Sequence, residues 1–196
     1  PDSLSFTPCG PVRGSIRPPG SKSITNRALV CAALAEGTST LSGALDSEDT
    51  QVMLDSLHRL GIPVERHNDR SRLIVSGCVR KIPAREAELF VGNSGTTIRF
   101  LTAMTTLGHG TYRLDGVPRM HERPIADLLS ALNQLGADAR SESGSGCPPV
   151  IVVASGLPGG RATIRGNISS QFLSGLLMAA PLAQENVELI VDGELV

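Results

Sequence analysis

Apolar residues with helical spacing alternate along this chain with short runs in which every second residue is apolar, and the alternation recurs. The first helical stretch, Ile24 to Leu34, follows Ser21-Lys22-Ser23 and ends in a turn at Glu36-Gly37. A short strand is predicted at Ser39–Leu41. A second helix follows at Asp49–Leu60, with Val52, Met53, Leu57 and Leu60 on one face. Ser47 is placed to cap it and Gly61 to stop it. Strands at Pro63–Arg66 and Leu73–Ser76 close this unit.

The same order returns after Gly92-Asn93-Ser94-Gly95. A helix is predicted at Thr97–Leu107, a turn at Gly108-His109-Gly110 and a strand at Thr111–Leu114. A helix from about Pro124 to Leu135 follows, with the proline in its first turn. Strands at Ala137–Arg140 and Val150–Val153 come next. A third start, Ser169-Ser170-Gln171, leads to a helix at Phe172–Leu182 and a strand at Val187–Val191. The units run over about residues 18–85, 86–156 and 157–196. The third is half-made, and a repeat that buries its apolar face on its neighbours should not end there, so the chain is expected to be a fragment of a longer protein. The fold class is α/β, with a repeated helix-strand-helix-strand-strand unit whose third copy is incomplete.

Composition narrows the function. With 18 basic and 19 acidic residues the formal charge of the 196-residue chain is −1, which argues against a nucleic-acid backbone as partner. Apolar stretches such as Ala28–Ala35 and Leu176–Ala183 fall far short of the ~20 residues of a membrane span. No charged-then-apolar leader opens the chain, and a cytoplasmic location with no membrane partner is expected. Cys9, Cys31, Cys78 and Cys147 lie in no metal-ligand spacing and read as reduced, buried thiols. The only lysines are Lys22 and Lys81, so a lysine in the first Gly/Ser loop marks a place where a compact ammonium serves better than an arginine.

Each unit opens with glycine and small polar residues directly before an apolar helix. Free N–H groups and the positive end of the helix dipole make such starts anion sites. One start alone is an ordinary cap; three at equivalent positions, gathered around a pseudo-threefold axis, would attract a multiply anionic small molecule. No Walker A loop is present, so a nucleotide is not indicated. Lys22 and Arg27 flank the first start and Arg99 lies one turn into the second. Arg119 and Arg123 sit where a polar loop enters a helix, each with Glu122 as an alternative ion-pair partner. Arg59, Arg66, Arg70, Arg72, Arg80 and Arg85 read as solvated charges. The histidines, His58, His67, His109 and His121, read as surface residues.

These segments carry a resemblance. Pro19-Gly20-Ser21-Lys22-Ser23-Ile24-Thr25-Asn26-Arg27 and Gly92-Asn93-Ser94-Gly95-Thr96-Thr97-Ile98-Arg99 resemble two signatures of the 5-enolpyruvylshikimate-3-phosphate synthase family. Leu114-Asp115-Gly116-Val117-Pro118-Arg119-Met120-His121-Glu122-Arg123-Pro124 and Ser169-Ser170-Gln171-Phe172 are similar to two more. The resemblance implies transfer of the carboxyvinyl group of phosphoenolpyruvate to the 5-hydroxyl of shikimate 3-phosphate, with no metal or organic cofactor. It implies that Lys22 contacts both substrates, that Ser23 and Arg27 bind shikimate phosphate, and that Gly95 and Arg119 bind phosphoenolpyruvate. It assigns Ser169, Ser170 and Gln171 to the phosphorylated ring. It also implies a protein of twice this length with two lobes, each of three βαβαββ units around a pseudo-threefold axis, and a cleft between them. Residues 1–17 then belong to the other lobe and residues 18–196 to this one. The proton-transfer groups lie in the missing half, and this chain alone is expected to be inactive. The pattern departs at Phe100, where many members carry proline or leucine.

Two other readings stand beside this one. The sister transferase acting on UDP-N-acetylglucosamine normally carries asparagine after the lysine and a loop cysteine; here Ser23 follows Lys22 and no cysteine lies between Cys78 and Cys147. A non-catalytic anion-binding half-module is the alternative of a different class.

Overall fold

The structure is a computed structural model and describes residues 3–16, 18–67, 71–79 and 81–194. Arg17, Arg70 and Arg80 lie outside the described residues. Residues 3–16 and 18–21 carry no regular structure. The chain then forms α1 (Lys22–Leu34), β1 (Thr38–Ser42), α2 (Glu48–Arg59), β2 (Val64–Arg66) and β3 (Arg72–Ser76). The middle region holds β4 (Glu86–Phe90), α3 (Gly95–Thr105), β5 (His109–Asp115), a 3-10 turn (Pro118–Glu122), α4 (Ala126–Gln134), β6 (Asp138–Ser141) and β7 (Val150–Ser155). The last holds β8 (Gly160–Arg165), α5 (Ser170–Ala179), a 3-10 turn (Ala180–Leu182) and β9 (Val187–Asp192).

The sheets repeat one plan. In the first the order is β1-β3-β2, all antiparallel; in the second, β4-β5-β7-β6. The second adds β4 in parallel to β5, with Leu89 opposite Leu114, and the third keeps only this parallel pair, β8 with β9, with Ile164 opposite Val191. A parallel pair needs a crossover, and α3 and α5 supply it. These leading strands, β4 and β8, were not predicted from the residues. In β4 the alternation is Glu86 and Glu88 outward, Ala87 and Leu89 inward, a half-polar pattern short enough to pass for a loop.

The core lies between the five α-helices and the sheets' inner faces. Leu29, Met53, Leu57, Phe100, Leu101, Met104, Leu114, Leu128 and Phe172 are buried there. With aromatics at 3%, aliphatic side chains supply most of this volume. Tyr112 is buried, and its hydroxyl donates to the Ala84 carbonyl at 2.8 Å, which satisfies the one polar atom of that side chain.

Several boundaries shift. Ser47 caps α2 in a capping box with Thr50, and Gly61, at φ 79°, ends it. Pro124 does not enter α4: the helix starts at Ala126, with Ile125 as its cap, because the preceding 3-10 turn uses the loop residues first. The cysteines are free but not buried. Cys9 and Cys31 are exposed, and Cys78 and Cys147 are half-buried. Cys31 falls on the outward side of α1, between the inward Val30 and Ala32. Arg59, Arg66, Arg72 and Arg85 are exposed, as are all four histidines. No helix among the described residues is long and apolar enough to cross a membrane.

Candidate functional site

An open cavity of about 320 Å³ lies at one end of the helical layer. Four helix starts ring it. Lys22 and Ser23 come from α1, Glu48 and Asp49 from α2, Ser94, Gly95 and Thr96 from α3, and Gln171 from α5. Three of these starts have serine caps that hold their own first turn. Ser21 Oγ accepts from the Ile24 amide, Ser94 Oγ from the Thr97 amide and Ser169 Oγ from the Gln171 amide. None of these three first turns carries an acidic residue, so no carboxylate of their own offsets their dipoles.

The second start is the most firmly built. Ser94, Gly95, Thr96 and Thr97 are all buried. Asn26 Nδ2 donates to Thr96 Oγ1 at 3.0 Å and to Thr97 Oγ1 at 3.3 Å, tying the second turn of α1 to the first of α3. A Cβ on Gly95 would stand 2.7 Å from Arg123 Nη1 and 3.4 Å from Arg99 Nη1. Glycine therefore lets two guanidinium groups approach one stretch of backbone.

The charges are arranged around that point. Lys22 Nζ donates to Asp49 Oδ2 at 3.2 Å, and both side chains are partly exposed. A pair of this exposure is worth about 0–1 kcal/mol. An entering phosphate or carboxylate can take Lys22 from Asp49 at little cost. Arg99 Nη1 donates to Gln171 Oε1 at 2.6 Å, and its guanidinium lies over the Phe172 ring, 5.1 Å from the centroid. Burial lowers the Arg99 pKa, and the nearby positive charge of Arg123 lowers it further. Two cations this close repel each other, and an anion between them relieves the repulsion.

Lys22, Ser23, Gly95 and Gln171, of the predicted site residues, line the cavity together. Arg27, Ser169 and Ser170 border it without lining it. Arg27 donates to the Ser23 carbonyl, Ser169 caps the turn that carries Gln171, and Ser170 opens α5. Arg119 is the exception: it lies exposed on the 3-10 turn and does not line the cavity, whereas Arg123 does. The phase of that turn decides it. Met120 faces the core, the Val117 amide donates to the Gly92 carbonyl at 3.0 Å, and the chain then enters α4 with Arg123 toward the second helix start. Neither arginine pairs with Glu122 among the described residues. His121 Nε2 meets Asp115 Oδ1 at 2.7 Å on the outer side of this turn. Asp115 is partly buried, which works against its charge. The hydrogen bonds from His121, the Gly116 amide and Arg113 prevail and hold its pKa below the usual aspartate value.

Asp49, Asn93 and Thr96 also line the cavity; none was assigned to the site from the sequence, although Asn93 and Thr96 stand in the second helix-start motif, and the pairing of Arg99 with Gln171 was not foreseen. The cap at Ser47 was the available signal for Asp49, since it puts an acidic pair in the first turn of α2. Among the described residues no three His, Cys, Asp or Glu side chains form a group that could hold a metal ion.

A model of the EPSP synthase (3-phosphoshikimate 1-carboxyvinyltransferase) family matches residues 6–196. The chain belongs to that family. It is 53% identical over 184 residues to the 3-phosphoshikimate 1-carboxyvinyltransferase of Nitrosomonas europaea, covering 94% of this chain and 42% of that protein. It is 49% identical over 198 residues to the chloroplastic 3-phosphoshikimate 1-carboxyvinyltransferase of Arabidopsis thaliana, covering 96% of this chain and 38% of that one. A solved EPSP synthase from Acinetobacter baumannii superposes with a TM-score of 0.80 at 27% identity, over 90% of this chain and 40% of the other. The chain therefore spans about two fifths of the length of its EPSP synthase relatives, and its mixed helices and sheets are those of the family fold.

Proposed function

We propose that this chain supplies one lobe of an enzyme that transfers the carboxyvinyl group of phosphoenolpyruvate to the 5-hydroxyl of shikimate 3-phosphate and releases phosphate. Four helix starts and the cations Lys22, Arg99 and Arg123 around one cavity carry this reading. Two anionic substrates must lie side by side against their mutual repulsion, and fixed positive ends and cations neutralise them without rearranging. Lys22 touches both substrates. Ser23 and Arg27, with Ser169, Ser170 and Gln171, hold the phosphorylated ring. Gly95 and Arg123, rather than Arg119, take phosphoenolpyruvate. Addition of a hydroxyl to a vinyl group needs a proton acceptor and a proton donor, and those come from the second lobe.

On this reading residues 18–196 form one lobe, in units of about 18–85, 86–156 and 157–196 around a pseudo-threefold axis, and residues 1–17 belong to the other lobe. The enzyme works in the cytoplasm without a cofactor. Calorimetric titration of the 196-residue chain tests the substrate: shikimate 3-phosphate binds and UDP-N-acetylglucosamine does not. Binding of the UDP-sugar alone would move the chain to the sister activity. In a phosphate-release assay the isolated chain gives no turnover; turnover would refute the assignment of proton transfer to a second lobe.

A further inference from the structure

The side chain of Arg27 is gathered by three helices. Its Nη1 donates to the Ser23 carbonyl on its own helix at 3.1 Å, and its Nη2 to Ser174 Oγ on α5 at 3.1 Å. Its guanidinium carbon lies 5.1 Å from the centroid of the Phe100 ring on α3. The Ser174 hydroxyl donates onward to the Ser170 carbonyl at 2.8 Å. Arg27 thus links the first turns of α1 and α5 across a ring that belongs to α3. Phe100 is fully buried, so its ring is held by the core and cannot follow the arginine if that side chain moves.

A carboxylate could hold an arginine in place equally well, but it would cancel the charge and occupy the donors. No acidic side chain pairs with Arg27 among the described residues. An aromatic face attracts a guanidinium and takes none of its hydrogens. Ser23 and Ser174 each receive one of the five N–H donors of the group, and three remain. An arginine ordered before binding also loses less freedom when an anion arrives.

We propose that Phe100 is a positioning residue: its ring fixes the plane of the Arg27 guanidinium, so that the remaining donors meet the acidic substrate at Ser23 already ordered. This rests on the assignment of Ser23 and Arg27 to shikimate 3-phosphate. The stack of Arg99 on Phe172 differs, because Arg99 is also tied to Gln171, a side chain of the cavity itself.

The test is a double-mutant cycle read by calorimetric titration of the 196-residue chain with shikimate 3-phosphate. Phe100→Leu weakens binding about threefold to tenfold. Arg27→Ala weakens it about tenfold to a hundredfold. Phe100→Leu added to Arg27→Ala weakens it no further, because the ring acts through the arginine. The melting temperature falls with Phe100→Leu in both backgrounds, which separates the cost to the core from the effect on binding. An affinity for Phe100→Leu within twofold of the parent, or an equal loss with and without Arg27, overturns the proposal. Should Phe100→Leu fail to fold, Phe100→Met, whose unbranched side chain adapts to an irregular gap, carries the same expectation. A parent chain that binds no shikimate 3-phosphate overturns the functional reading instead. The stack is then judged on the Arg27 Nε–H resonance, which the ring shifts upfield and Phe100→Leu returns to its ordinary position. An ordinary position in the parent contradicts the stack.

Discussion

The middle and last regions of this chain are built on one plan and differ in how deeply they are held. In α3 ten of eleven residues are buried; in α5 only Phe172, Gly175, Leu176 and Ala179 are. Strand β5 lies between β4 and β7, whereas among the described residues β9 pairs only with β8 and buries none of its residues fully. The equivalent helix starts follow suit: Ser94, Gly95 and Thr96 sit in the core, while Ser169 is half-buried and Ser170 exposed. Binding residues in the middle region are therefore also packing residues, and those of the last region are free to change binding alone.

The largest effect expected from this contrast is on stability. Leu114 on β5 and Val191 on β9 hold the same register in their sheets, opposite Leu89 and Ile164. Leu114→Ala removes a fully buried side chain and costs about 2–5 kcal/mol. Val191→Ala removes a half-buried one and costs about 1 kcal/mol. Urea denaturation of both variants checks the difference, and equal losses would mean that the two regions are held alike.

Next comes the cavity wall. Arg123→Ala should weaken phosphoenolpyruvate binding about tenfold to a hundredfold, the loss of a charge-assisted hydrogen bond. Arg119→Ala, four residues away and outside the cavity, should change it less than about twofold, as checked by the same titration. The reverse ranking would return the site to the residue that the sequence pattern favoured.

The caps give a smaller and sharper contrast. Ser94→Ala leaves the buried Thr97 amide without its 3.3 Å cap and costs about 1–3 kcal/mol. Ser169→Ala removes only the cap on Gln171 and costs about 1 kcal/mol. Thermal melting ranks the two.

The smallest effect is that of pH on the outer side of the arginine-bearing turn. The native pKa of Asp115 is depressed, so its contribution to stability is full above the ordinary value of about 3.9 and is lost as pH falls through the native pKa. Acidification below about pH 4 should therefore erode the stability advantage of the parent chain over Asp115→Asn. An advantage that grows on acidification would give the opposite sign and remove the network.

Much of this was legible in the residues, for reasons that vary along the chain. The apolar helices were readable because glycine and serine bracket them and their periodicity is strong, as at Ser94 before α3. Strands β4 and β8 were not, since each alternates over only five or six residues with one polar face. Lys22 and Gly95 could be placed at the site because they stand in the first turn of a helix, where dipole and cap determine the environment. Arg123 could not be separated from Arg119. The two share one loop, and which of them faces the cavity depends on the 3-10 turn and on Met120 entering the core. Ser47 was readable as a cap, but not that its helix start would bring Asp49 to Lys22, a contact across 27 residues of chain.

Amide chemical shifts of the 196-residue chain, followed while shikimate 3-phosphate is added, test most directly whether the separate helix starts act as one anion site. Saturable changes centred together on Ser23, Gly95, Thr96 and Gln171 are the predicted result. Changes confined to a single helix start, or centred away from the cavity, would contradict it.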